Sequence, residues 1–227
     1  MRLSGKTIFI SRELDADSYF RTILEKENCN VHAKSLISIS KIRYTYTPQT
    51  NWIFFTSKNA IDFFLVQKPD LPKEVKFAVI SKASGNHLQK HGLKPDFVGE
   101  GVSLMNIAKD FRETLKNDSV LFPQAIDSYQ TIQKQLAFTN TCYNLYVYKT
   151  NICSGFDIPF SDVLIFTSPS NATGYYQKYK HDVRQIVIAM GTSTKNKLNE
   201  YGVNGAFMPD AFDENGIVDL LMNQVKS

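Results

Sequence analysis

Two stretches of this chain place hydroxyl groups where a bound anion would use them. In 52-WIFFTSKNAIDFFL-65, and again in 163-VLIFTSPSNATGYY-176, an apolar run ends in Thr-Ser and a segment with helical spacing begins at once. At such a junction the first helical turn offers unpaired backbone N–H donors and the positive end of its dipole. Thr56, Ser57, Asn59, Ser168 and Ser170 add side-chain donors there. The chemistry is carboxylate or phosphate binding. The design recurs at 81-SKAS-84, through Ser81 and Ser84, and at 191-GTST-194, through Gly191, Thr192 and Thr194. Ser11-Arg12 and Pro123-Gln124 supply a third pair of junctions. One such Ser or Thr alone is ordinarily just an N-cap. Six junctions in two matching sets predict a cleft for a ligand with several carboxylates or phosphates.

Other catalytic constellations are missing from the sequence. It holds no G-x-x-x-x-G-K-[ST], and 99-GEGVSL-104 lacks the third glycine of a dinucleotide loop. His87 and His91 stand one helical turn apart, as a metal pair would, but 87-HLQKH-91 carries no acidic partner. A solvated helix face is expected there, with no metal and no cofactor. Neither a carboxylate pair nor a Ser-His-Asp arrangement can be nominated from spacing. An enzyme of this kind would act by holding its substrate in shape.

The elements that must position these residues come from a repeat. Thr56-Ser57 matches Thr167-Ser168, 78-AVISKASGNHLQKHG-92 matches 188-IAMGTSTKNKLNEYG-202, and Asp17-Ser18-Tyr19 matches Asp127-Ser128-Tyr129, all at a spacing of about 110 residues. Short β-branched and aromatic runs at 8–10, 52–55, 77–80, 120–122, 163–166 and 186–190 read as buried parallel strands. Helices are expected over 17–27, 58–66, 84–91, 103–115, 128–136, 170–179, 194–201 and 215–225. Strand followed by capped helix, repeated, gives an α/β fold of two parallel-sheet lobes. The alternating segments 36-LISISKIRYTY-46 and 143-YNLYVYKTNI-152 suggest a two-stranded antiparallel ladder joining them. The lobes are then residues 1–37 with 154–227, and residues 45–145; segments 38–44 and 146–153 form the ladder.

Composition narrows the partners. The net charge of +4 is dispersed, with no basic run, so nucleic acid is not an expected ligand. No stretch approaches ~18 uninterrupted apolar residues, and 1-MRLSGKTIFISRELD-15 is too short in apolar content for a signal segment. Cys29, Cys142 and Cys153 are odd in number and unpaired in spacing, which fits free thiols in a reducing cytoplasm. Nothing argues for an oligomer, so a monomer is expected.

The motifs F-T-S-K-N-A-I at 55–61, F-T-S-P-S-N-A at 166–172, A-M-G-T-S-T-K-N-K-L at 189–198 and A-F-M-P-D-A-F-D-E-N-G-I-V-D-L-L at 206–221 resemble the uroporphyrinogen-III synthase family over nearly the whole chain. That resemblance implies a cofactor-free enzyme that closes the linear tetrapyrrole hydroxymethylbilane to uroporphyrinogen III, inverting ring D and losing water. It also implies two α/β lobes joined by a ladder. Thr194 and Ser84 match family positions that line the cleft, while Ser81-Lys82 replaces the glycine usual at one loop. The family often carries a Tyr a few residues after S-P-S, thought to assist departure of the hydroxyl. Here that register holds Gly174, with Tyr175 or Tyr176 next; Tyr175, if exposed, is the candidate donor, the alternative being a packing role. A non-catalytic two-lobed binder of a tetrapyrrole or another polyanion is the alternative.

Overall fold

A computed structural model describes residues 3–101 and 103–224, so Val225, at the end of the last expected helix, lies outside the described residues. The chain divides into two compact units: unit 1 takes the residues up to 38 and from 151 onward, and unit 2 is Ile39–Thr150. In chain order the elements begin with β1 (Thr7–Ile10), α1 (Tyr19–Lys26), β2 (Asn30–Ala33) and β3 (Ile37–Lys41). Then come β4 (Trp52–Phe55), α2 (Lys58–Leu65), β5 (Lys76–Val79), α3 (Lys82–Lys90), β6 (Phe97–Val98) and α4 (Leu104–Leu115). After them follow β7 (Val120–Ala125), α5 (Thr131–Leu136) and the long β8 (Cys142–Ile152). The chain closes with β9 (Val163–Phe166), α6 (Pro169–Tyr176), β10 (Ile186–Ala189), α7 (Thr192–Glu200) and α8 (Glu214–Gln224).

Unit 1 carries a four-stranded sheet in the order β10-β9-β1-β2, parallel throughout. The second sheet runs β3-β8-β7-β4-β5-β6, parallel from β8 to β6. Its central strand shows why buried parallel strands read as unbroken apolar runs. Trp52 and Phe54 enter one core cluster, Ile53 and Phe55 the other, so successive side chains fill opposite faces. In unit 1, Ile8 and Ile10 likewise pack on one face and Phe9 on the other. The helices start where hydroxyls cap them. Ser57 Oγ accepts the Ala60 N–H at 3.0 Å, and Ser168 Oγ accepts that of Asn171 at 3.2 Å.

The two sheets reveal how the duplication is shared out. The order β10-β9-β1-β2 in unit 1 corresponds to β5-β4-β7-β8 in unit 2. Each unit therefore combines the opening strand-helix-strand of one copy with the remainder of the other. The correspondence extends to minor features. Phe207 bridges β10 in parallel, as β6 pairs β5 from Phe97, and α8 answers α4.

One expectation is corrected, and two strands appear that were not foreseen. The segment 143–152 is not simply antiparallel: β8 pairs in parallel with β7 from Cys142 to Tyr148. On its other edge it does run antiparallel to the 36–42 segment, with Cys153 N–H donating to Leu36 O and Ile42 N–H to Val147 O, both at 2.9 Å. Its alternation fits a strand whose faces are incompletely covered, Val147 being its one fully buried residue. The strands β2 and β6 were not foreseen, since Asn30–Ala33 is partly exposed and Phe97–Val98 spans only 2 residues. Among the described residues, no helix is long and apolar enough to cross a membrane.

Candidate anion-binding site

Parallel strands end on a common edge, so each sheet gathers its strand-to-helix junctions there. In unit 2 the carboxyl ends of β4, β5 and β7 bring Thr56-Ser57, Ser81 and Gln124 to one edge. In unit 1 the ends of β1, β9 and β10 do the same for Ser11-Arg12, Ser168 and Gly191. The residues flagged in the sequence thus fall into two sets of three junctions, one set per unit.

Unit 2 has an open pocket at this edge, of about 310 Å³. Thr56, Ser57, Ser128, Tyr129, Gln130, Thr131, Gln133, Tyr148 and Thr150 supply its polar lining, with Ile80, Leu104, Ala125 and Ile132 the apolar part and Asp127 the acidic residue. Ser57 Oγ lies 3.2 Å from Tyr148 Oη. Burial pushes the Tyr148 hydroxyl above its ordinary range; the Ser57 hydrogen bond opposes that and the Asp127 carboxylate adds to it. Tyr148 is therefore protonated at neutral pH and able to donate. Beneath the edge, buried Gln124 accepts a 2.5 Å hydrogen bond from Gln133 Nε2. Its own Nε2 has no partner among the described residues. Spacing did not single out Tyr148, because it comes from the long ladder strand rather than from a junction. Its signal was the alternation of 143–152, which puts every second side chain on one face.

Unit 1 treats the equivalent position differently. Glu214, at the start of α8, stands where unit 2 has Leu104 at the start of α4. Its carboxylate accepts from Arg12 Nη2 at 2.6 Å, from Ser18 Oγ at 3.0 Å and from the Phe20 N–H at 2.9 Å. A carboxylate of the chain itself is thus held by the junction after β1 and the opening of α1. Arg12, expected to meet a ligand, is already paired. Ser11 is also committed: it is fully buried, its Oγ accepts the Thr167 N–H at 2.9 Å, and its carbonyl accepts from Thr167 Oγ1 at 3.0 Å.

The third junction shows the consequence of Ser81 replacing glycine. Gly191 adopts φ +125°, a region closed to side-chain-bearing residues, and no side chain caps α7. Ser81 instead is extended, at φ −159°, and its Oγ accepts the Ser84 N–H at 3.3 Å. The first-turn donor that glycine leaves open is consumed by serine. Thr192 is exposed, whereas Ser84 and Thr194 are buried, at 5% and 1% exposure; they support the turns from within.

The expectation for Tyr175 is corrected. Its ring is buried, stacked on Phe9 at 5.9 Å and edge-on to Phe166 at 5.4 Å, with burial raising its pKa. It belongs to the core of unit 1 and not to an exposed edge. Nor could the preceding position carry a tyrosine without rearrangement. A Cβ on Gly174 would lie 3.2 Å from the Leu36 Cβ and 3.4 Å from Ile152. Asn59 and Ser170 are partly exposed on the first turns of α2 and α6.

Two α/β units built from a duplicated sequence, each gathering three strand junctions on one sheet edge and one of them with an open pocket there, define a class of duplicated two-unit α/β proteins. Comparison with known proteins gives the family. Residues 18–219 match the family described as "Uroporphyrinogen-III synthase HemD", and the chain belongs to that family. A uroporphyrinogen-III synthase from Chlorobaculum parvum is 28% identical over 233 residues, covering 92% of this chain and 94% of its own. The crystal structure of uroporphyrinogen-III synthetase from Helicobacter pylori has a similar fold, with TM-score 0.71, 18% identity, and coverage of 96% and 98% of the two chains. A mutant synthase from Thermus thermophilus gives TM-score 0.64 at 13% identity, covering 98% of this chain and all of that one.

Proposed function

We propose that this chain is a cytoplasmic, monomeric uroporphyrinogen-III synthase that needs no cofactor. Hydroxymethylbilane, with an acetate and a propionate on every ring, is its substrate. The observation that carries the reading is the contrast at equivalent edges of the two units. In unit 1 the edge grips a carboxylate, Glu214, through Arg12, Ser18 and a backbone N–H. In unit 2 that carboxylate is replaced by Leu104, and a pocket of about 310 Å³ lined by hydroxyls and apolar side chains opens beside it. A substrate side-chain carboxylate fills in unit 2 the role that Glu214 fills in unit 1.

The chemistry asks mainly for shape. Protonation and departure of the terminal hydroxyl as water leaves a cationic azafulvene on ring A. Ring D attacks it through its already substituted carbon, and the spiro intermediate opens and recloses with ring D reversed before a proton is lost. Unaided, the bilane closes to the symmetrical I isomer, so the protein's contribution is to favour one conformation by positioning and electrostatics. Junction N–H groups and the hydroxyls of Thr56, Ser57 and Ser128 hold carboxylates. Tyr148, protonated and facing the pocket, takes the donor role first expected of Tyr175.

The second reading, a binder of tetrapyrroles without turnover, is favoured by one observation: no tyrosine occupies the register of Gly174, and its neighbour Tyr175 is core. Both readings meet one experiment. Freshly prepared hydroxymethylbilane is given to the purified protein without metal, and the oxidised products are separated. Predominance of the III isomer supports the synthase. Only the I isomer, at the protein-free rate, removes it and leaves the binder.

A further inference from the structure

Away from the pocket, the lone histidine pair of the sequence acquires a third ligand. His87 and His91, one turn apart on α3, both face Asp62 on the neighbouring helix α2. His87 Nε2 lies 2.7 Å and His91 Nε2 2.8 Å from the same oxygen, Asp62 Oδ1. The ligand atoms of all three residues fall within 4.8 Å of one another. The two rings stand nearly edge to face, with centroids 5.4 Å apart, so both point their Nε2 inward without stacking. The acidic partner missing from 87-HLQKH-91 comes from a helix 25 residues earlier in the chain.

We propose that Asp62, His87 and His91 bind a divalent transition-metal ion of the Zn²⁺ type, which ties α2 to α3. Two imidazoles and one carboxylate are the donor set that late first-row ions take in preference to Mg²⁺ or Ca²⁺, which want oxygen throughout. Bonds of about 2.0–2.1 Å to a tetrahedral ion require ligand atoms somewhat further apart than a direct hydrogen bond allows. Ligand atoms of such a tetrahedron stand about 3.3 Å apart, so each Nε2–Oδ1 distance must open by roughly 0.6 Å, and the side chains have room for it, being 24%, 36% and 44% exposed for His87, His91 and Asp62. That same exposure leaves the outward coordination position to water. Each neutral ring gives the ion its Nε2 lone pair while its proton resides on Nδ1, so no proton need be released by a neutral histidine. The ion's charge also answers the Asp62 carboxylate.

The consequence lies in the unit's framework. Helix α2 opens at Ser57, in the lining of the pocket, and α3 opens at Ser81, the next junction on the same edge. A metal cross-link between the two helix bodies would stiffen that edge from behind. The site is independent of whether the chain turns over hydroxymethylbilane.

The test uses the full chain, stripped of metal with a chelator and dialysed. Zn²⁺ titrated by calorimetry should bind at one equivalent and, at a hundredfold excess over Kd, raise the Tm by about 5–10 °C. Mg²⁺ should do neither. Removal of groups that merely orient a ligand typically costs 10–100-fold in metal affinity, so His91→Gln and Asp62→Asn should each cost at least about tenfold. Co²⁺ gives a readout unrelated to stability: its visible absorption bands should form in the native chain and fail in His91→Gln. Circular dichroism of the exposed-site variant His91→Gln checks that it folds. Absence of Zn²⁺ binding, or binding of equal strength in His91→Gln, would show that Asp62 is only a hydrogen-bond acceptor for the pair and would overturn the proposal.

Discussion

Arg12 and Glu214, separated by 202 positions in the chain, meet through a 2.6 Å contact between Nη2 and Oε1. Glu214 also takes the Ser18 hydroxyl and the Phe20 N–H, so one carboxylate joins β1, α1 and the first turn of α8. The pairing closes this edge of unit 1 with a carboxylate of the chain itself.

Removing that carboxylate should therefore damage unit 1. Glu214→Ala leaves the Phe20 N–H and the Arg12 guanidinium without their acceptor, at a cost of about 1–3 kcal/mol, reduced by the partial exposure of the pair. Glu214→Gln keeps an acceptor for one donor and should recover part of the loss. Urea unfolding of the two variants beside the parent is the check; equal stability in all three would mean that the carboxylate is not structural.

Tyr175→Phe should leave product distribution and turnover near those of the parent, because the hydroxyl sits in the core and its loss sacrifices a hydrogen bond worth about 1 kcal/mol. Tyr175→Ala should instead destabilise by about 3–5 kcal/mol through the cavity left against Phe9 and Phe166. Tyr148→Phe is the variant that should slow turnover, with stability little changed. Loss of activity in Tyr175→Phe with unaltered melting would restore a chemical role to that residue.

The two glycine-type junctions should respond in opposite ways. Gly191→Ala forces a side chain into φ +125° and should cost about 1–3 kcal/mol. Ser81→Gly should free the Ser84 N–H and cost only a few tenths of a kcal/mol as a cap. If the released amide then meets a substrate carboxylate, KM falls in Ser81→Gly; steady-state kinetics with the bilane measures it.

Alkaline pH should weaken the fold, which neutral pH leaves intact. Burial pushes Cys142 from 9.0 up to about 11 and Tyr44 from 10.0 up to about 12. Folded values above unfolded ones mean that the stability these groups contribute is complete below the unfolded pKa. It is lost as pH rises, between about 9 and 11 for Cys142 and about 10 and 12 for Tyr44. Each group can contribute a slope of up to roughly 1.4 kcal/mol per pH unit within its window. Denaturant melts across this range should show the decline, and Tyr44→Phe should flatten its upper part.

Much of the fold was legible because each signal was local. The run Trp52–Phe55 is unbroken and apolar because both faces of its strand are covered, and Ser57 starts α2 because its hydroxyl can reach the Ala60 N–H. β2 escaped notice because its four residues, Asn30–Ala33, are too few and too exposed for their alternation to stand out. At the site, Thr56 and Ser57 were visible from their junction. Tyr148 was not, because a residue on a strand shows its face only once the strand's neighbours are known.

What the sequence determined by itself is the duplication, the α/β alternation within it and the junctions capped by Ser57, Ser81 and Ser168, since these follow from spacing, burial pattern and hydroxyl placement along a short length of chain. Only the tertiary structure decided which copy each sheet would draw on: β1 and β2 join β9 and β10, while β7 and β8 join β4 and β5. The same long-range pairing placed Glu214 on Arg12, drew Tyr175 into the core and brought Asp62 to His87 and His91. Such contacts depend on which apolar faces close against each other across many residues, and that choice is made by packing of the whole unit rather than by any local period.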